Sequence, residues 1–111
     1  MPTNRNQIRQ DVVELAAQLN KICAKIKGHS FYLDHLFSSV TTIGSALTSL
    51  RNQRDELSIV RRLNVAIDAC SELMFVAKVL TVEGLISEDE YKLIKKSVSS
   101  IERRMISSLS D

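Results

Sequence analysis

The chain has no tryptophan, one proline, three glycines and two cysteines, and aromatic side chains make up only 5% of it. Each shortage excludes something. A β-sandwich draws its many turns from Gly and Pro, so an all-β fold is ruled out and helices are the default. Phosphate cradles such as G-x-x-x-x-G-K-[ST] or G-x-G-x-x-G cannot be drawn from Gly28, Gly44 and Gly84. Two cysteines make no disulfide scaffold. Cys23 and Cys70 both fall at core positions of the helices derived below, where a thiol acts as a small hydrophobe. Long apolar runs are missing too. The longest uncharged stretch, Leu36 to Leu50, is too short and too rich in Ser and Thr to span a bilayer, and the start, MPTNRNQIRQ, lacks an apolar signal core. The expectation is a cytoplasmic protein with no membrane partner. An excess of one charge sign is also lacking: 15 Lys plus Arg stand against 13 Asp plus Glu, a net charge of +2. That balance permits nucleic-acid binding without demanding it.

What the chain does have is 44% hydrophobic and 25% charged residues over 111 positions. This is globular usage, enough for one domain over residues 1–111 whose core needs no metal or disulfide, with residues 1–6 expected to be loose. Apolar spacing supplies the elements. Ile8, Val12, Leu15, Leu19, Ile22 and Ile26 alternate steps of four and three, which keeps them on one seam of a helix, and Gly28 follows as a helix stop. Leu33, Leu36, Val40, Ile43, Leu47 and Leu50 repeat the rule, although Gly44 and four consecutive β-branched residues (40–43) weaken the intrinsic propensity. Val60, Leu63, Ile67, Cys70, Met74 and Ala77 form a third seam. Ile59, Ala66, Leu73, Val76 and Leu80 widen it, so this helix should sit deepest. Gly84 ends it. Ser87 then opens a capping box, SEDE, in which its hydroxyl caps the amide of Glu90 and Glu90 reaches back. The fourth helix turns Tyr91, Ile94, Val98, Ile101 and Met105 inward and ends near Leu109. Connections of a few residues force consecutive helices to run antiparallel. The expected fold is all-α: an antiparallel up-down-up-down four-helix bundle.

Catalytic and metal chemistry finds no support in the residues. Di-iron bundles need inward Glu-x-x-His pairs, and neither His29 nor His35 has a Glu three residues before it. Their offset of six also denies the i, i+4 spacing of a helical zinc pair. The Ser-rich stretches SSVTTIGSALTS and SVSS have no His or Lys placed to activate a hydroxyl. No catalytic residue, metal ligand or cofactor is therefore expected.

Charge is arranged more suggestively. At 100 degrees per residue, Lys92, Lys96 and Arg103 fall within about forty degrees of one another, opposite the apolar seam of helix four, and Lys95 and Arg104 extend that stripe sideways. Arg54 and Arg61 are expected on the outward face of helix three, and with Arg51 and Arg62 they concentrate guanidinium groups around the second connection. Arginine forks suit phosphate oxygens. A solvated outer face is the plain alternative. Helix two differs: it has no Lys or Arg between residues 28 and 50 and offers Ser38, Ser39, Thr41, Thr42, Ser45 and Thr48, a face equally fit for subunit contact or for solvent.

The stretch from Leu63 to Leu73, LNVAIDACSEL, and the following MFVAKVLTVEGLISEDEYKLI place Leu63, Asn64, Ala66, Glu72, Leu73, Ala77, Lys78, Leu80, Ser87, Glu88, Glu90 and Tyr91, with some slack in the loop, at positions equivalent to those of a family pattern L-N-x-A, S-x-x-E-L, A-K-x-L, S-x-E-E-Y. The chain resembles, over roughly residues 36 to 109, the small bacterial four helix bundle protein family, which includes proteins encoded in ribosomal RNA intervening sequences and the accessory variability proteins of diversity-generating retroelements. It departs from that pattern at Thr42, Ile43, Gly44, Ser45 and Ala46, where the family carries a Ser-Ile-Pro-x-Asn turn. The resemblance implies a homopentamer with a positively charged surface and, for the retroelement members, binding of RNA or DNA and of a reverse transcriptase. The expected phosphate contacts are Arg51, Arg54, Arg61, Arg62, Lys92, Lys95, Lys96, Arg103 and Arg104. A protein–protein interaction bundle without nucleic-acid binding is the alternative.

Overall fold

A computed structural model describes residues 4–28, 30–50 and 53–108, of which residues 4–6 and 30 are described in their backbone alone. Four helices and no strand are found among them: α1 (Asn4–Cys23), α2 (Ser30–Ser49), α3 (Glu56–Val82) and α4 (Glu88–Ser107). Consecutive helices pack on one another and α1 closes the ring on α4, the contact between α2 and α3 being the broadest. This is the expected up-down-up-down bundle, an elongated body of 43 × 25 × 17 Å.

The core follows the spacing rule almost throughout. Ile8, Val12, Leu15, Leu19 and Ile22 of α1 and Leu36, Val40, Ile43, Leu47 and Leu50 of the second segment are buried, as are Ile94, Val98, Ile101 and Met105 of α4. On α3 the seam is shifted. Leu63, Ala66, Cys70, Leu73, Ala77 and Leu80 are buried, while Val60, Ile67 and Met74 lie at its margin. The broad apolar face of this helix admits two parallel 3–4 patterns, and packing chose the one centred between α2 and α4. Burying these side chains is the main favourable term of the fold, roughly 1.5–3 kcal/mol for each large aliphatic one.

Local chemistry sets the ends. Asp55 caps α3 by accepting from the Ser58 amide at 3.0 Å. At the other end Gly84 takes φ +77°, Gly84 N donates to Thr81 O and Leu85 N to Leu80 O at 3.0 and 2.9 Å. That pair of bonds is a Schellman close, and its left-handed residue is the reason for a glycine there. Ser87 and Glu90 form the expected capping box: Glu90 N donates to Ser87 Oγ at 3.0 Å, and Ser87 N donates to Glu90 Oε1 at 2.8 Å. Two expected boundaries move. α1 ends at Cys23 rather than running through Ile26, although Ile26 is still buried beyond the helix, its amide bonded to Cys23 O at 3.0 Å. α4 closes at Ser107. At the N-terminal side, residues 4–6 are helical backbone within α1.

Candidate nucleic-acid interface

Of the nine cations expected to contact phosphate, Arg51 lies outside the described residues. Arg54, Arg61, Arg62, Lys92, Lys95, Lys96 and Arg103 are exposed, and none of these seven has an ion-pair partner among the described residues. Arg54 is not on helix three as expected. The Asp55 cap starts α3 one residue later, at Glu56, so Arg54 sits in the connection before it. Arg61 and Arg62, in the second turn of α3, flank a shallow recess of about 210 Å3 with Gln53, Ser58 and Val65.

Arg104 departs further. Its Nε lies 2.9 Å from Oδ2 of Asp11 on α1, so it braces two helices instead of extending the stripe. Neither atom has an aligned hydrogen-bond partner; charge holds the contact, and Gln7 Nε2 donates to the other Asp11 oxygen at 3.1 Å. Lys96 borders the same seam, lining a groove of about 350 Å3 with Asp11, Glu14, Gln18, Ser97 and Ser100. Two carboxylates of α1 therefore stand beside it. The stripe drawn from the helical wheel also divides along its length, because Arg103 lies seven residues beyond Lys96, about 10 Å along the axis. Lys92 and Lys95 follow within one to two turns of the acidic start of α4, Glu88, Asp89 and Glu90. Arg9 was missed: it lines a groove of about 370 Å3 with Val12, Val13, Gly44 and Thr48. The signal for it was topological, since an antiparallel bundle places the start of α1 beside the end of α2.

Several hydroxyls of α2 are turned back into their own helix. Thr41 Oγ1 donates to Phe37 O at 2.8 Å, Thr42 Oγ1 to Ser38 O at 3.0 Å and the buried Ser39 to His35 O at 2.9 Å. With donors consumed, this face offers water fewer partners than its composition promises. Along it, Val12, Val13, Ala16, Val40, Gly44 and Thr48 border an open groove of about 540 Å3.

His35 makes a plain structural contact: Nδ1 lies 2.8 Å from Glu72 Oε1 of α3, and its ring meets Phe31 edge-on at 5.6 Å. His29 lies outside the described residues. Cys23 and Cys70 are free and buried. Burial, with Glu102 adding to it, pushes the Cys70 thiol up to about 12, and burial likewise raises Cys23, with Glu90 adding and Lys25 opposing. Among the described residues no cluster of three or more His, Cys, Asp or Glu side chains could hold a metal ion, and no helix is long and apolar enough to cross a membrane.

No protein-family model matches the sequence, and no curated protein matches it. Among solved structures, a protein of unknown function from the S23 ribosomal protein family of Bacteroides thetaiotaomicron VPI-5482 superposes with a TM-score of 0.87 over 98% of this chain and 100% of its own, at 16% sequence identity. Identity that low shows a shared fold: the chain has the four-helix bundle of that protein.

Proposed function

We propose that this protein is a non-enzymatic, oligomeric accessory protein that binds RNA or DNA through its exposed cations, assembles as a homopentamer, and assists the reverse transcriptase of a diversity-generating retroelement in the cytoplasm. The observation that carries the reading is the set of seven exposed cations, Arg54, Arg61, Arg62, Lys92, Lys95, Lys96 and Arg103, without carboxylate partners among the described residues. The resemblance on residues 63–91 supports the retroelement part, and the assignment of the solved neighbour to a ribosomal protein family is in keeping with an RNA partner. Repetition of the cations around a ring multiplies what one protomer holds weakly. The α2 face, with Thr41 and Thr42 bonded within their own helix and its groove beside Gly44, is where we place contact between copies.

Gel retardation of structured RNA over a salt series, with light scattering on the same sample, tests the reading. Expected are a particle well above 12.5 kDa and an affinity that falls steeply with salt. A solitary protomer that retards neither RNA nor DNA removes it. One observation favours the protein-only alternative: Phe31, Phe75 and Val82 are 69%, 66% and 76% exposed, large apolar groups of the kind that anchor protein contacts. A partner captured through these side chains, with nucleic acid ignored, would establish it.

A further inference from the structure

The cations are sorted by chemistry as well as by position. In this topology the start of α1, the end of α2, the start of α3 and the end of α4 share one end of the bundle. Arg9, Arg54, Arg61, Arg62, Arg103 and Arg104 all belong to that end, and the Asp11–Arg104 contact at 2.9 Å pins two of its corners together. Every lysine lies in the other half: Lys21, Lys25 and Lys27 around the end of α1, Lys78 on the later part of α3, and Lys92, Lys95 and Lys96 in the first half of α4. Lys25 Nζ to Glu90 Oε1 at 2.7 Å and Lys78 Nζ over the Tyr91 ring at 5.2 Å pin that half. All five aromatic residues, Phe31, Tyr32, Phe37, Phe75 and Tyr91, are there as well. The body is 43 Å long, several times the screening length of about 8 Å at physiological salt, so its two ends act on a partner separately.

This sorting has a chemical meaning. Lysine serves solubility as well as arginine does, whereas only the guanidinium fork grips a phosphate through two parallel hydrogen bonds. Single strands are held by cations interleaved with aromatic rings on which bases stack. The arginine end has cations and no ring. A base-paired nucleic acid keeps its bases stacked inside and presents a dense array of phosphates, which is what such a surface can use. Its acidic groups are already engaged in part: Asp11 faces Arg104, and Asp55 accepts from the amide and hydroxyl of Ser58, each at 3.0 Å. Lys96, by contrast, shares its groove with Glu14 as well as with the engaged Asp11.

We infer that, within the cation set proposed above, the arginine end of the bundle is the backbone-gripping surface for base-paired RNA or DNA, the lysine stripe of α4 adding a weaker contact. This rests on the nucleic-acid reading above and adds the ligand class and the end of the molecule that takes it. The test compares a 20-base-pair duplex with an unstructured 20-nucleotide oligo-dT strand at matched salt, using the full chain. Wild type is expected to bind the duplex about tenfold tighter or better, since phosphate contacts alone carry the interaction. Arg61→Gln with Arg62→Gln should reduce the slope of log affinity against log salt by about 2, close to one per lost phosphate contact. Arg61→Lys with Arg62→Lys should restore the charge and only part of the affinity. Lys92→Gln with Lys96→Gln should reduce duplex affinity and the salt slope by less than half as much as the arginine pair does, being offset by nearby acids. If the arginine pair variant loses helicity, Arg54→Gln, in a connection, takes its place. Equal binding of strand and duplex, or a lysine pair that costs as much as the arginine pair, overturns this inference and leaves the broader reading standing. Failure to retain either probe overturns both.

Discussion

Arg104 of α4 and Asp11 of α1 meet at 2.9 Å over a seam that also holds Gln7 against Asp11 and Ser97 Oγ against Gln18 Oε1, at 3.1 and 3.2 Å. An arginine that the helical wheel assigns to an outer stripe is thus a brace between the first and last helices. Arg104→Ala should lower stability by about 1 kcal/mol, the upper range for a pair that water still reaches, because it leaves the Asp11 carboxylate without its cation. It should leave the salt slope of duplex binding close to wild type. Denaturant melts and the same gel series read both; a slope change equal to that of Arg61→Gln would restore Arg104 to the binding surface.

Gly44 sits inside α2, and a methyl group built on it would stand 3.8 Å from Val12 Cγ1, an ordinary contact. Gly44→Ala should therefore raise stability by about 0.5–1 kcal/mol, through the helix propensity of alanine and the smaller entropy of its unfolded chain. A lower melting temperature would mean that α1 and α2 approach more closely than the groove between them suggests.

The Lys25 ammonium, and after it the Ser87 amide, hold the Glu90 carboxyl below its ordinary 4.5. A depressed folded-state value means that this stabilisation is complete above 4.5 and disappears as pH falls through the lower, folded value. Glu90→Gln keeps the capping box and removes the charge. Its stability deficit against wild type should be full at pH 7 and shrink as pH falls below 4.5, and a deficit of constant size on acidification would show that the cap geometry, not the charge, matters.

Neither thiol should react in the native protein. Cys70 is fully buried and pushed up to about 12, and Cys23 is raised by the same cause, so almost no thiolate is offered to an alkylating reagent at pH 8. Mass spectrometry should find both cysteines unmodified until denaturant is added. Prompt labelling of native Cys70 would reveal frequent opening between α3 and its neighbours.

Much of the fold was legible because period and punctuation agree. The 3–4 spacing of Ile8 to Ile22 and of Ile94 to Met105, the SEDE box and Gly84 each act within one helix or turn, where nearest neighbours decide the outcome. The residues behind the family resemblance are partly of this kind and partly contacts between helices. Leu63, Ala66, Leu73, Ala77 and Leu80 are buried, Ser87 and Glu90 cap, Glu72 meets His35, and Lys78 covers Tyr91. They serve packing, capping and contacts between helices, and a neighbour at 16% identity shares the fold.

The candidate site was legible only in its residue types. Exposure of Lys92, Lys96 and Arg103 follows from a wheel drawn on one helix, but a wheel has no neighbouring helix. It could not show that Arg104 turns to Asp11, that Lys96 lies beside Glu14, or that α3 presents one of two equivalent apolar seams to the core. Helix positions and ends come from forces acting over one turn of chain, and those are written in residue order. Which charges face each other, and which end of the bundle gathers every described arginine while the aromatics gather at the other, depends on four helices being folded back alongside one another, a relationship between residues up to about ninety positions apart that no local pattern contains.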